Sequence, residues 1–467
     1  MTRSIPCPAH LVAALLVLAS TGCTSDATPS ADRGIVEAAP PVPLEEYRER
    51  RRRMLETLPD GLLLLHARSV EKTMEQWGFV QDPTFLYFTG LAESPGTILV
   101  LDGPAGEAHL FLAPAPRSFG MTVEGATPPP GDETAAALGV DWARPWSDFV
   151  PWVRRRMSEG VRTLYVDQSR QAEVTGVPDG MTPVSGDRTL WAASLRQAFP
   201  GARVESAKLP IMEQRAVKSE AEVRLLERNA RTTAASLLAV AARLGPGVRQ
   251  RETEAAMIEA CLSAGGQGPS FWPWTMSGPN AHVSQLPGAF FRYTQGDRVA
   301  GAGEVVRVDI GCAGGLYGAD VGRTLPVSGH FTEGQAEAWD LLIEGYRAGL
   351  AAMGDGVPVS TVRAASVEAV RARRNGLSTD TGRAAAEAIL EGGDGTWHIH
   401  GVGIDSGEDL PGVLRAGMVV AYEPGFSVGA DAYYLEDMIL VTADGHRVLS
   451  AGLPYTAAEI AAVMSGR

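Results

Sequence analysis

The order of apolar and polar positions divides the chain into two regions of different rhythm. In the first, short apolar runs stand between Gly and Pro punctuation: Leu62 to His66, Phe85 to Phe88, Thr97 to Leu101, His109 to Leu112 and Thr163 to Val166. Runs of that length bounded by turn residues predict strands. A basic stretch from Tyr47 to Leu58, closed by Pro59-Asp60-Gly61, is helical, and an α/β domain is expected over residues 44–208. In the second region Ser219, followed three residues later by Glu222, is a capping-box pattern. It opens a helix whose apolar positions Val223, Leu226, Ala230, Ala234, Leu237 and Ala241 keep helical spacing. Gly245-Pro246-Gly247 stops it, a second helix runs to Gly265-Gly266, and strand-like runs follow at Val305 to Ile310 and Val321 to Val327. The order then returns. Thr332 and Gln335 cap a helix, another includes Val362 to Arg373, and strands are predicted over Met418 to Tyr422 and Leu435 to Val441. Residues 209–467 therefore read as a duplicated helix-helix-strand-strand unit, and the fold class as α+β.

Composition narrows the function. A chain of 467 residues with 45% hydrophobic and 21% charged positions is globular and long enough for two or three domains. The net charge of −14 disfavours nucleic acid, whose phosphates need clustered Lys and Arg, so no nucleic-acid partner is expected. Ahead of the folded body, Arg3 precedes the run Leu11 to Leu18, too short to span a bilayer and suited to a secretory leader over residues 1–22. The run ends at Ala19-Ser20-Thr21-Gly22-Cys23, which resembles a bacterial lipoprotein processing site with Cys23 as the acylated residue. Residues 23–43, rich in Ala, Pro and Ser, then form a tether. The chain is expected to be exported, and its membrane contact to be that lipid anchor alone; a secreted protein cut nearby is the other reading. Of the remaining cysteines, Cys261 and Cys312 are expected as separate small buried residues.

Four carboxylates occupy matching places in the duplication. Asp309 and Asp320 flank the first strand pair, and Glu423 and Glu436 lie in the second. An unpaired charge in an apolar strand costs several kcal/mol. If the two hairpins face each other, the four acids converge, and their repulsion demands divalent cations. One His from Trp397-His398-Ile399-His400 would complete an oxygen-rich site suited to manganese, with zinc, cobalt or iron as the other candidates. Arg323 and Asp437 read as ion-pair or surface residues.

The segments Val308-Asp309-Ile310-Gly311, Asp320-Val321-Gly322-Arg323-Thr324, His400-Gly401-Val402-Gly403-Ile404-Asp405, Glu423-Pro424-Gly425 and Glu436-Asp437 resemble the five-ligand signature of the pita-bread metallopeptidases. Gln81 to Gly90 and Pro210 to Ser219 resemble the Xaa-Pro aminopeptidase (aminopeptidase P) and prolidase branch. The resemblance implies a pita-bread catalytic domain over 209–467, behind an aminopeptidase P-like N-terminal domain over 44–208. It implies two metal ions held by Asp309, Asp320, His400, Glu423 and Glu436, with Asp320 and Glu436 bridging. A hydroxide between the metals would attack the peptide bond after the first residue of an Xaa-Pro peptide, with Glu423 as proton shuttle. It also implies a homo-oligomer.

The chain departs from that family around the metals. Thr396 and Gly407 stand where the family carries histidines, Tyr434 where it carries an arginine, and Arg292 or Gln295 at the place of a third histidine. Two expectations compete. Either His282 and His398 take over the donor roles, with Arg292 or Arg323 supplying positive charge, or catalysis is weak or lost and the protein binds metal and peptide at a surface. Phe271, Trp272 and Trp274 are candidate walls of the specificity pocket or core aromatics.

Overall fold

The computed structural model describes residues 42–69, 79–118, 120–168, 187–292 and 296–466. The leader, Cys23, most of the tether and Gln295 lie outside them. No described helix is long and apolar enough to cross a membrane.

The N-terminal half is built on a sheet ordered Trp142–Pro145, Glu107–Leu112, Ile98–Asp102, Gly61–His66, Thr163–Val166, Arg203–Ser206. The middle three strands run antiparallel and the outer pairings are parallel. Both faces are covered: Leu63, Leu65 and Leu99 pack into one cluster, and Leu62, Leu64 and Val100 into another. This is why the runs are continuously apolar rather than alternating. The segment Phe85 to Phe88, expected as a strand, is instead part of the helix Pro83–Thr89. Asp82 accepts from the backbone of Thr84 and Phe85, Pro83 opens the first turn, and Gly90 closes the helix at φ 72°. Every residue from Thr84 to Thr89 is buried, so no polar face marked the helical period.

In the C-terminal half the capping box at Ser219 opens the helix Glu220–Arg243, and that at Thr332 opens Glu333–Ala351. Helices Gln250–Ser263, Val359–Arg373 and Asp380–Gly392 complete the layer. They cover an antiparallel sheet ordered Trp274–Ser277, Val305–Ile310, Val321–Pro326, Asp431–Thr442, Val419–Val428, Trp397–Gly401. The two expected hairpins do not face each other. They lie side by side, and the halves of the duplication join through only two register pairs, Gly322 with Glu436 and Arg323 with Leu435. Cys261 and Cys312, expected to be separate, form a disulfide linking the helix Gln250–Ser263 to the segment just beyond Asp309. Their Cα atoms lie 5.9 Å apart, within the span such a bridge needs.

A charged junction fixes the edge strand Trp397–Gly401. Arg215 donates to Asp405 at 3.0 Å and Glu408 at 2.6 Å, and its other terminal nitrogen reaches Thr84 Oγ1 at 3.3 Å. Lys218 Nζ donates to the second oxygen of Glu408 at 2.8 Å. Burial opposes ionisation of Glu408, but the two cations hold its carboxyl down at about 2. The Glu408 backbone in turn exchanges both hydrogen bonds with Gly401, the residue after His400.

Candidate metal centre

Strand register collects the acids. Trp274 pairs with Asp309, Asp309 with Gly322, and Gly322 with Glu436. The pairs Tyr422–Asp437 and Gly425–Tyr434 set Glu423 level with Glu436, and Glu423 pairs with His398. One row therefore crosses six strands. Cross-strand partners share a face, and so do residues two apart on one strand. That brings His400, Arg307 and Tyr434 to the same face, while Asp320 enters from the residue before Val321.

Distances confirm the gathering. His400 Nε2 lies 3.3 Å from Glu423 Oε1, 3.8 Å from Asp320 Oδ2 and 3.8 Å from Glu436 Oε1. His400 Nδ1 donates to the Gly401 carbonyl at 2.9 Å, which turns the Nε2 lone pair toward the carboxylates. Two donor triads have ligand atoms within 4.8 Å of one another: Asp320, His400 and Glu436, and His398, His400 and Glu423. Asp309 belongs to neither. Its Oδ2 accepts from Arg307 at 3.0 Å.

Electrostatics say what the site lacks. Burial, then the Asp309 and Glu423 charges, push Asp320 well above the carboxylate range. Burial and the Asp320, Glu423 and Asp309 charges do the same to Glu436. Burial raises Asp309 to about 6 against the opposing Arg307 charge. Burial would also raise Glu423, but His398 and His400 hold it well below the usual range. Burial would lower His400, yet Glu423 and Glu436 lift it to about 9. Asp320 Oδ1 and Glu436 Oε1 are buried without a hydrogen-bond partner. Four convergent acids, two orphaned oxygens and an oriented imidazole nitrogen fit divalent cations.

A pH prediction follows from those signs. A carboxyl whose folded pKa exceeds its unfolded one stabilises the fold fully below the unfolded value and loses that contribution as pH rises through the folded one. For Asp309 the window runs from 3.8 to about 6, and Asp320 and Glu436 extend it upward. Chelator-treated protein is expected to lose thermal stability relative to manganese-loaded protein as pH rises from about 4 through neutrality. Unfolding midpoints with and without chelator check this, and parallel curves would refute it.

The other expected residues are dispersed. His398 does reach the centre: its Nδ1 hydrogen-bonds Glu423 Oε1, and its side chain is 57% exposed. His282 instead caps a short turn, with Nδ1 2.8 Å from Ser284 Oγ, while Val283 N donates to Ser427 at the far end of the Glu423 strand. Arg292 is exposed at the end of the helix Leu286–Phe291. Among the described residues, no contact joins either of them to the five donors. Arg323 does not supply charge to the cleft. It neighbours Gly322, so it points to the reverse face, fully buried, with one terminal nitrogen shared between the two Asp437 oxygens at 3.0 and 3.2 Å. The guanidinium on the site face is Arg307, which stacks over Tyr434 at 3.8 Å. Its signal was a charge in the apolar run Val305–Ile310, two residues before Asp309. Of the aromatics, Trp274 stands in the row beside Asp309, and Trp272 is 40% exposed with its indole N–H on Glu254 at 3.3 Å.

This sheet carries a donor set that could hold divalent metal, and the family matches say which class of protein has it. Residues 224–443 match the model of metallopeptidase family M24, and residues 47–165 match that of the aminopeptidase P N-terminal domain. The chain belongs to family M24, in its aminopeptidase P branch, and is a metallo-exopeptidase. It is 25% identical to the Xaa-Pro aminopeptidase of Haemophilus influenzae over 91% of this chain and 98% of that one. The Escherichia coli Xaa-Pro aminopeptidase is 24% identical over 90% and 97%. Among solved structures, Pseudomonas aeruginosa aminopeptidase PepP superposes with a TM-score of 0.70 at 24% identity, covering 91% of this chain and 98% of that one.

Proposed function

We propose that the protein releases the N-terminal residue from peptides carrying proline second, with two divalent cations, manganese first among the candidates, held by Asp309, Asp320, His400, Glu423 and Glu436. The observation that carries this is the single row of donors drawn from both halves of the duplication. Bound cations supply polarisation of the scissile carbonyl and a lower proton affinity for the attacking water. Glu423, kept ionised between His398 and His400, accepts a proton at Oε1 and returns it to the departing nitrogen. The exposed His398 donates toward the oxygen that gains charge, and Trp274 walls the cleft beside Asp309. A binding-only role is not favoured. The leader and Cys23 support export with a lipid anchor, and the branch supports a homo-oligomer.

The test is a metal-reconstitution series on chelator-stripped protein, using manganese, zinc, cobalt and iron against Xaa-Pro and non-proline peptides. Manganese is expected to restore release of the first residue from Xaa-Pro peptides, and Asp320→Ala to abolish it. No release at any metal loading would sink the reading.

A further inference from the structure

We propose that Arg307 and Tyr434 form one positioning unit that selects which oxygen of each carboxylate is presented at the metal position. The inference rests on the reading of the site as a metal centre and deepens it.

The Tyr434 hydroxyl lies 2.7 Å from Glu423 Oε2 and 2.8 Å from Glu436 Oε2. It takes one oxygen of each acid. The other oxygens, Glu423 Oε1 and Glu436 Oε1, are the two that face His400 Nε2, at 3.3 and 3.8 Å, and Glu423 Oε1 is also hydrogen-bonded by His398 Nδ1. Glu436 Oε1 has no hydrogen-bond partner of its own. Arg307 performs the matching task on Asp309, engaging Oδ2 at 3.0 Å. The two residues come from different halves of the duplication, yet they are in contact: the guanidinium sits 3.8 Å over the phenol ring. From the strand between them, Gly322 admits that ring, since a Cβ there would fall 2.2 Å from Tyr434 Cε1. The ring is thus held between a glycine and a cation, with its hydroxyl aimed at two carboxylates. Arg307 Nε is buried without a partner, so packing and stacking, rather than a full set of hydrogen bonds, keep the guanidinium in place.

A purely structural ring would be served equally by phenylalanine. Only an orienting role needs the hydroxyl. Groups that orient a metal's ligands are worth 10–100-fold in metal affinity or activity. Tyr434→Phe is therefore expected to weaken manganese binding to the stripped protein about 10–100-fold by calorimetry and to lower kcat with KM little changed. The unfolding midpoint of the metal-free protein is expected to stay near that of the wild type. Manganese affinity and kcat both within twofold of wild type would overturn the proposal. The double variant Arg307→Leu/Tyr434→Phe tests whether the pair is one unit: losses no greater than the worse single variant support it, and fully additive losses overturn it. If Arg307→Leu does not fold, Arg307→Lys replaces it, keeping the charge without the stacked plane. Calorimetry needs no turnover, so the outcomes are separable. A wild-type protein that binds no manganese overturns the metal-centre reading itself, whereas equal binding by wild type and Tyr434→Phe overturns the positioning unit alone.

Discussion

Glu423→Gln is expected to lower kcat by about 10²–10⁴-fold, the range for removing a positioned acid–base group. The substitution keeps size and shape, so it tests chemistry rather than packing. Glu423 Oε1 serves His398 and His400 together, and Oε2 serves the Tyr434 hydroxyl. A glutamine has one acceptor oxygen and one donor nitrogen. With its oxygen toward the imidazoles, its N–H can donate to the Tyr434 oxygen while that hydroxyl donates to Glu436, so the hydrogen-bond partners survive the change. The amide still removes a charge that two imidazoles are placed to hold. The measurements are steady-state kinetics on an Xaa-Pro peptide and bound manganese per chain. Activity within tenfold of wild type at full metal loading would show that the proton moves by another route. His398→Ala should cost less, because that side chain is half exposed and water can replace it.

The second large effect is on stability. Asp437 and Arg323 form an ion pair with neither side chain exposed. Asp437 also accepts from Tyr346 at 2.8 Å, Ser450 at 2.6 Å and Tyr455 at 2.9 Å. Arg323 further donates to the carbonyls of Gly322, Glu436 and Pro454. Asp437→Ala would leave a buried guanidinium without its counter-charge, and three hydroxyls without an acceptor. Breaking such a pair costs about 3–5 kcal/mol, or roughly 6–20 °C in unfolding midpoint for a domain of this size. Exposed pairs such as Arg371 with Glu368 are worth about 0–1 kcal/mol by comparison. Calorimetric unfolding of Asp437→Ala and Glu368→Ala side by side checks the ranking, and equal shifts would refute it. Because Arg323 bonds the Glu436 carbonyl from behind, Asp437→Ala should weaken metal binding as well.

The donors were legible because each is a charge embedded in apolar strand sequence, and because their order matches a family signature. A period of two assigns faces, so Asp309, Glu423 and Glu436 fall on one face once the strands are placed. Arg307 carried the same signal. Alone, however, a charge in a strand also fits one wet face, and only the layers covering this sheet settle the matter. The same period explains Arg323, whose neighbour Gly322 has the site face and leaves it the reverse one. The helix at Pro83–Thr89 was hidden by burial on every side, although Asp82, Pro83 and Gly90 were its proper boundary residues. The disulfide depended on a contact between elements 51 residues apart, which spacing alone does not disclose. His282 shows the limit of register across a long loop: without strand pairing to count along, residue type gave no distance.

The narrow seam at Gly322–Glu436 has a consequence for how the molecule comes into being. The proposed metal position straddles what is, among the described residues, the only strand pairing between the two hairpins, so neither half could assemble it alone. Ribosomal synthesis must pass Glu436 before an ion could find all the proposed holders, and an ion captured there would act as a rivet across the pairing with the fewest register pairs in the sheet.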